Sequence, residues 1–396
     1  MSDGLLVINA GSSSIKFSVY VTDNGDLRLT CNGQLEGLGV GITPHFFAKD
    51  ADGTVAADDL WPPVEVGKQS ALLGRLIDWI EDHLGDATLR AAGHRVVHGG
   101  SGYSAPVLVN KSVLDDLRAL TSLAPLHQPH NLAPIAALSE LHPDLPQVVC
   151  FDTAFHAHKR LEAEMFGLPR KYYDAGIKRY GFHGLSYEYI AHRLEDLDPQ
   201  AARGRVIVAH LGSGVSMCAI KDGRSVDTSI GFTAVDGLMM GTRCGSLDVG
   251  VVLHLMQQDG LDAKALEKLF YKESGLLGVS GGLSNDMRVL MDSDAPEAKQ
   301  AVDLFIYRVA KEVGALATAI GGIDALVFTA GIGEHSAAVR QRVCDLLGWT
   351  GVRLDAAAND GHAMKVSAPD SAYGVWAIPT NEELMIARHT RKLVLG

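Results

Sequence analysis

Two polar turns, Asn9-Ala10-Gly11-Ser12-Ser13-Ser14 and His210-Leu211-Gly212-Ser213-Gly214, combine residue types that can hold a polyphosphate. Glycine lets a backbone amide approach an oxygen closely and serine adds a hydroxyl donor, so paired turns of this kind can grip phosphates from two sides. His210 stands 201 positions after Asn9, and the same offset relates Gly11 to Gly212 and Ser12 to Ser213. A Gly-Ser turn met alone is usually only a tight turn. Here it recurs, and a third glycine string, Gly331-Ile332-Gly333, closes an apolar strand just before an amphipathic helix expected near Ser336. The start of that helix would offer free N–H groups to an anion.

The flanking residues say what must position these turns. LLVI before the first and VIVA before the second are apolar runs, and each chain resumes as a strand, which predicts hairpins rather than the strand-to-helix turn of a Walker site. A displacement of about half the chain points to duplication of one module. Helical spacing of apolar residues runs through 70–84, 130–141, 187–197 and 296–320. The strands VVCFD (148–152), VIVAH and ALVFTA end in polar residues, as buried strands of α/β proteins do when they deliver side chains to a site at their carboxyl ends. A last helix follows Pro379-Thr380, with Asn381-Glu382-Glu383 in its first turn, favourable to the helix dipole and also available to a cation.

With 396 residues, 47% apolar and 21% charged, the chain can bury two cores. A formal net charge of −12 argues against a nucleic-acid groove, so local cations must meet any anionic ligand. Cys31, Cys150, Cys218, Cys244 and Cys344 show no close pairing, and the apolar run after Gly4 is too short for a signal peptide or membrane span. A reduced, cytoplasmic protein is expected, with no membrane partner. His94, His98, His130, His156 and His158 lack an accompanying ligand set for zinc.

NAGSSSIKF, HRVVHGG (94–100), LAPLHQPHN (123–131), FDTAFH (151–156), YGFHGLS (180–186), HLGSGVS (210–216), DTSIGFT (227–233), MGTRCG (240–245), FTAGIGE (328–334) and PTNEELMIAR (379–388) together resemble the acetate kinase family, in that family's order and over the whole chain. The resemblance implies an α/β architecture of two duplicated ribonuclease-H-like domains, the fold of actin, sugar kinases and chaperone ATPases, with the active site in the cleft between them. The expected division is 1–151 with 381–396, and 152–380 as the nucleotide-binding domain. It implies a homodimer and reversible, magnesium-dependent, direct in-line transfer of the ATP γ-phosphoryl group to acetate, giving acetyl phosphate and ADP, with manganese as the alternative ion. Propionate or another short-chain carboxylate is the alternative acceptor. A nucleotide switch without a small acceptor is the more distant reading, against which Arg95, His183 and Arg243 speak.

A carboxylate acceptor is already ionised near neutral pH, so the reaction needs charge neutralisation more than a base. Arg95 and Arg243 carry planar guanidinium groups suited to a carboxylate or phosphoryl group. By resemblance, Arg95 binds the acceptor, Arg243 and His183 stabilise the transition state, and Asp152 belongs to the active site as a proton donor or acceptor; because an ionised acceptor needs no base, the chemistry favours Asp152 orienting magnesium or its waters, and both roles stay open. Asn9 and Glu382 carry over as metal contacts and Lys16 as an ATP contact. His210, Leu211, Gly212, Ser213 and Gly214 carry over as the phosphate hairpin. Asp286, Met287, Arg288, Gly331, Ile332, Gly333, Glu334 and His335 carry over to the adenosine and phosphate side. Val97, Leu126, His127, Phe182 and Ala234 match the acyl pocket. The chain departs from the family pattern at Ser213, Ser246, Val249 and His335, and at Ala234, where the family has proline. That smaller wall leaves room for another methylene. Taken without this context, Arg95 reads first as a surface ion-pair partner, Asp152 as a turn former and Glu382 as a helix-dipole residue; the context reverses this for Arg95, Arg243 and Asp152.

Overall fold

The structure is a computed structural model that describes residues 2–11, 13–23, 25–38, 42–63 and 69–396. Ser12, one of the matched turn serines, lies outside them. The chain divides into two compact units, residues 1–155 with 381–396, and residues 156–380. The first segment thus runs to Phe155 where the sequence suggested 151. The reason is local: Asp152 N–H donates to Val96 O (3.2 Å) and Thr153 Oγ1 accepts from Gly99 N–H (3.1 Å), so these residues stay with the sheet they follow.

Among the described residues, unit 1 is built on β1 (Asp3–Ala10), β2 (Ser14–Asp23), β3 (Asp26–Glu36), β4 (His45–Asp50), β5 (Val55–Leu60), β6 (Thr88–Val96), β7 (Val107–Leu108) and β8 (Gln147–Phe151), in the order β5-β4-β3-β2-β1-β6-β8-β7. Unit 2 carries β9 (Arg205–Leu211), β10 (Val215–Lys221), β11 (Arg224–Thr228), β12 (Ala325–Thr329) and β13 (Gly374–Ala377), in the order β11-β10-β9-β12-β13. The duplication is visible in the pairing. In β3-β2-β1-β6-β8 and in β11-β10-β9-β12-β13, the first three strands are antiparallel and the last two join in parallel.

The copies differ in their turns. Asn9 pairs with Lys16 across the first hairpin, whereas His210 pairs with Ser216 across the second. The constant offset read from the sequence therefore holds into the turn and slips by one residue beyond it, because the second turn is shorter. Lys16 of the first copy corresponds in position to Ser216 of the second.

The central strands β8, β9 and β12 are buried almost throughout, which explains their unbroken apolar runs. In unit 1 the helix Gln69–His83 packs Leu73, Ile77 and Ile80 into the core beneath β1 and β2. The helix Glu382–Val394 lies on β1, β6 and β8. Gly93 on β6 makes that docking feasible: a Cβ there would collide with Thr390 Oγ1 and lie 2.7 Å from Ile386 Cγ2. Thus a glycine in one strand brings the first turn of the last helix to the end of β6. In unit 2 the helix Pro296–Ile320 packs against β9, β10 and β11 through Val302, Phe305, Ile306, Val309 and Val313.

Candidate active-site residues

In unit 1, the carboxyl ends of β1, β6 and β8 deliver Asn9, Arg95 and Asp152 to one cluster. Arg95 donates from Nε to Asp152 Oδ1 (2.8 Å) and from Nη2 to Asp152 Oδ2 (2.6 Å), a bidentate pair with the carboxylate fully buried. Its Nη1 donates to Asn9 Oδ1 (3.3 Å), and Glu382 Oε2 lies 3.7 Å from Nε. Burial works against the Arg95 charge, but Asp152 and Glu382 outweigh it and hold the guanidinium protonated. Burial also pushes the Glu382 carboxyl up to about 7; Arg95 opposes this, Asp152 and Glu383 add to it, and Lys16 opposes it from β2.

This arrangement revises the reading of Arg95 as a carboxylate fork waiting for its acceptor. One edge of the guanidinium is taken by Asp152, leaving the Nη1 side to meet other groups. Asp152 is the anchor of Arg95, a relation between residues 57 positions apart that no local pattern announces. Sequence reading also missed two braces from the helix Gln128–Leu141. Asn131 donates to Ala10 O (2.6 Å) and accepts from Val97 N–H (2.9 Å), tying the ends of β1 and β6. Gln128 donates to His98 O (3.0 Å) and Leu117 O (3.2 Å). Their signal was present: both are polar residues on the buried face that otherwise carries Leu132, Pro134, Ile135 and Leu138. Val97 is buried behind this brace, and Leu126 and His127 are half-buried just before the helix.

Asn9 and Glu382 present hard oxygen donors of the kind magnesium takes. Among the described residues no group of three His, Cys, Asp or Glu side chains is arranged for a metal, so two protein oxygens with phosphate and water would have to complete the shell.

In unit 2, His183 stands before the helix Gly184–Leu197 in a left-handed conformation (φ 57°). Its Nδ1 is 2.7 Å from Ser216 Oγ, and its ring stacks on His210 with centroids 4.2 Å apart. His210 Nδ1 lies 2.9 Å from Ser186 Oγ. Gly212 N–H donates to Gly214 O (3.1 Å), closing the turn, with Ser213 exposed at its tip. Leu211 is buried. A Cβ placed on Gly214 would lie 3.0 Å from His183 Nε2 and 4.0 Å from Arg243 Nη1, so both side chains border the turn. Arg243 Nη1 is steadied by Ala234 O (2.9 Å). Phe182 is buried, and its carbonyl lies 2.9 Å from His156 Nε2.

The third glycine string is itself helical, which the sequence did not suggest, while the amphipathic helix after it starts where it was expected. The chain forms a short helix, Ala330–His335, before the expected helix begins at Ala337 with Ser336 as its cap. The leading amide, Ala330 N–H, is not open to an anion: it donates to Glu334 Oε1 (2.7 Å), which also accepts from Thr380 N–H (3.1 Å). Glu334 therefore holds backbone, while Gly331, Ile332 and Gly333 lie within the short helix and His335 projects outward. Behind them Arg340, wholly buried, donates to Gly333 O (2.9 Å), Glu334 O (2.8 Å), Asn359 O (2.8 Å) and Asn359 Oδ1 (2.8 Å). Replacing Arg340 by leucine should lower unfolding stability by roughly 3 kcal/mol, because those buried acceptors lose their donor; chemical denaturation checks it. Asp286 caps the helix Met287–Met291 and binds exposed Arg288 bidentately (3.2 and 2.6 Å), while Met287 is buried.

A model of the acetokinase family matches residues 4–388. An acetate kinase of Rhodopseudomonas palustris is 54% identical over 401 residues, with all of both chains covered. An acetate kinase of Rhizobium meliloti is 49% identical, covering 99% of this chain and 98% of its own. Among solved structures, a propionate kinase from Francisella tularensis superposes with TM-score 0.90 at 34% identity, over 99% of this chain and 100% of its own. The acetate kinase of Porphyromonas gingivalis does so with TM-score 0.89 at 34% identity, over the whole of both.

Proposed function

The chain belongs to the acetokinase family, and from that premise we propose that it transfers the γ-phosphoryl group of ATP to acetate, reversibly, forming acetyl phosphate and ADP. The observation that carries the reading furthest is the Asn9–Arg95–Asp152–Glu382 cluster: a guanidinium held rigid by one carboxylate, with further donor capacity on its Nη1 side. Such a group can orient an anionic acceptor without surrendering a proton. Nothing in the reaction needs a base, since acetate attacks as the carboxylate and ADP leaves as an anion. Asp152 fixes Arg95. Magnesium, held by Asn9 and Glu382, would supply charge neutralisation on the phosphate oxygens. In unit 2 the Gly212–Gly214 turn presents backbone to phosphate, and His183 and Arg243 border it, suited to the charge that develops on the transferred group. Lys16 contributes a cation to the ATP side, and residues 286–288, 331–333 and 335 its adenosine side, with Glu334 bracing the backbone behind them.

Free cysteines suit a reducing, cytoplasmic setting, and among the described residues no helix is long and apolar enough to cross a membrane. A homodimer fits the helix Val249–Gln257, which leaves Val249, Leu253 and Met256 exposed.

Steady-state kinetics with acetate, propionate and butyrate test the acceptor. Acetate should give the highest kcat/KM; equal rates with and without carboxylate would remove the proposal. A broader acceptor range has one specific support, the half-buried Ala234 in place of a proline. Ala234→Pro should move relative kcat/KM toward acetate over propionate by up to about tenfold, the value of roughly one methylene. An unchanged ratio would take Ala234 out of the acyl pocket.

A further inference from the structure

His183 is tied into a chain of hydroxyls that the roles above leave unused. Ser216 Oγ lies 2.7 Å from His183 Nδ1 and 2.5 Å from Tyr187 OH, with Ser216 and Tyr187 buried. Tyr187 sits one turn along the helix that His183 precedes, and Ser216 is the residue of β10 that faces His210 in the sheet register. The neighbouring imidazole is built the same way: His210 Nδ1 lies 2.9 Å from Ser186 Oγ, which lies 2.9 Å from Thr380 Oγ1. Two stacked imidazoles each tie Nδ1 to a serine hydroxyl that is tied to a second hydroxyl.

Each hydroxyl has one hydrogen to give, so the chain of acid strength orders it. The phenol is a stronger acid than the alkanol, and an imidazole nitrogen is the better acceptor. Tyr187 then donates to Ser216, and Ser216 donates to Nδ1. The ring's own hydrogen is left on Nε2, the nitrogen that borders Gly214, where a Cβ would lie 3.0 Å away. We propose that Tyr187 and Ser216 are positioning residues that fix His183 as the Nε2–H tautomer, so that it meets the transferred phosphoryl group as a donor. The opposite tautomer would aim a lone pair at a phosphate oxygen and repel it. This rests on the phosphoryl-transfer reading of unit 2.

The test combines kinetics with nitrogen NMR on protein carrying 15N-labelled histidine, the His183 signals assigned from a His183→Gln variant. In the wild-type protein Nδ1 should appear unprotonated and Nε2 protonated. Ser216→Ala should lower kcat by about tenfold or more, because a misplaced catalytic group loses rate steeply. The KM for acetate should stay within about twofold, since Arg95, proposed to bind the acceptor carboxylate, is untouched. Ser216→Thr, which restores a hydroxyl, should recover most of the rate, and Tyr187→Phe should fall between. A protonated Nδ1 in the wild type, or wild-type kcat in Ser216→Ala, overturns the proposal. Should Ser216→Ala not fold, the wild-type spectrum and Ser216→Thr still decide. His183→Ala separates the two levels: full activity there removes the role of His183 itself, whereas an inactive His183→Ala beside an active Ser216→Ala removes only the relay.

Discussion

Arg95→Ala is expected to reduce turnover by about a thousandfold, and to weaken the fold as well. The first effect follows from losing the cation proposed to hold the acceptor. The second follows from what the cation holds in the resting protein. Asp152 is 1% exposed and accepts from Arg95 Nε and Nη2, with Glu382 close by. Removing one member of a buried pair leaves an uncompensated charge and costs about 3 to 5 kcal/mol. Arg95→Lys keeps a charge but cannot reproduce the two parallel bonds, so it should retain more stability than Arg95→Ala while losing roughly a hundredfold in kcat. Kinetics and thermal melting of the two variants separate chemistry from folding. Turnover within a few fold of wild type in Arg95→Lys would mean that fork geometry plays no part.

Gly214→Ala is expected to lower kcat by about a hundredfold, although it adds only one carbon. That carbon would stand 3.0 Å from His183 Nε2 and 3.2 Å from Cε1. His183 has little freedom to retreat, because its ring is stacked on His210 and its Nδ1 tied to Ser216. The methyl group would occupy the approach that a phosphate oxygen would use in the proposed reaction. Gly212→Ala should be milder, since its added carbon would meet Gly214 O at 3.3 Å and Ala330 Cβ at 3.4 Å, tight rather than prohibitive. Ser213→Ala should be nearly silent, with the side chain exposed and the turn's amides intact. ATP titrations of the three variants check this order; equal effects at all three would reduce the hairpin to a simple turn.

The hairpins were legible in the sequence because a glycine-serine turn between apolar runs is a local signal, and its repetition at a fixed offset exposed the duplication. Local patterns also placed the helices: 70–84 was expected and Gln69–His83 observed, 296–320 expected and Pro296–Ile320 observed. What remained hidden depended on sheet order. That Arg95 would face Asp152 follows from β6 pairing in parallel with β8, a pairing across β7 and two intervening helices that side-chain periodicity does not encode. Glu334 looked like a residue of a nucleotide loop, yet its carboxylate turns inward because two backbone N–H groups would otherwise be left without an acceptor. Ser216 ends the HLGSGVS string, but its bond to His183 depends on how the sheet places β10 against the helix after His183.

The central claim, that a carboxylate is the phosphoryl acceptor, is tested most directly by trapping the product. Purified protein with ATP, magnesium and acetate, quenched into hydroxylamine, should yield acetohydroxamate in equal amount to ADP, and none when acetate is omitted. ADP formed without hydroxamate, at the same rate whether or not acetate is present, would contradict it.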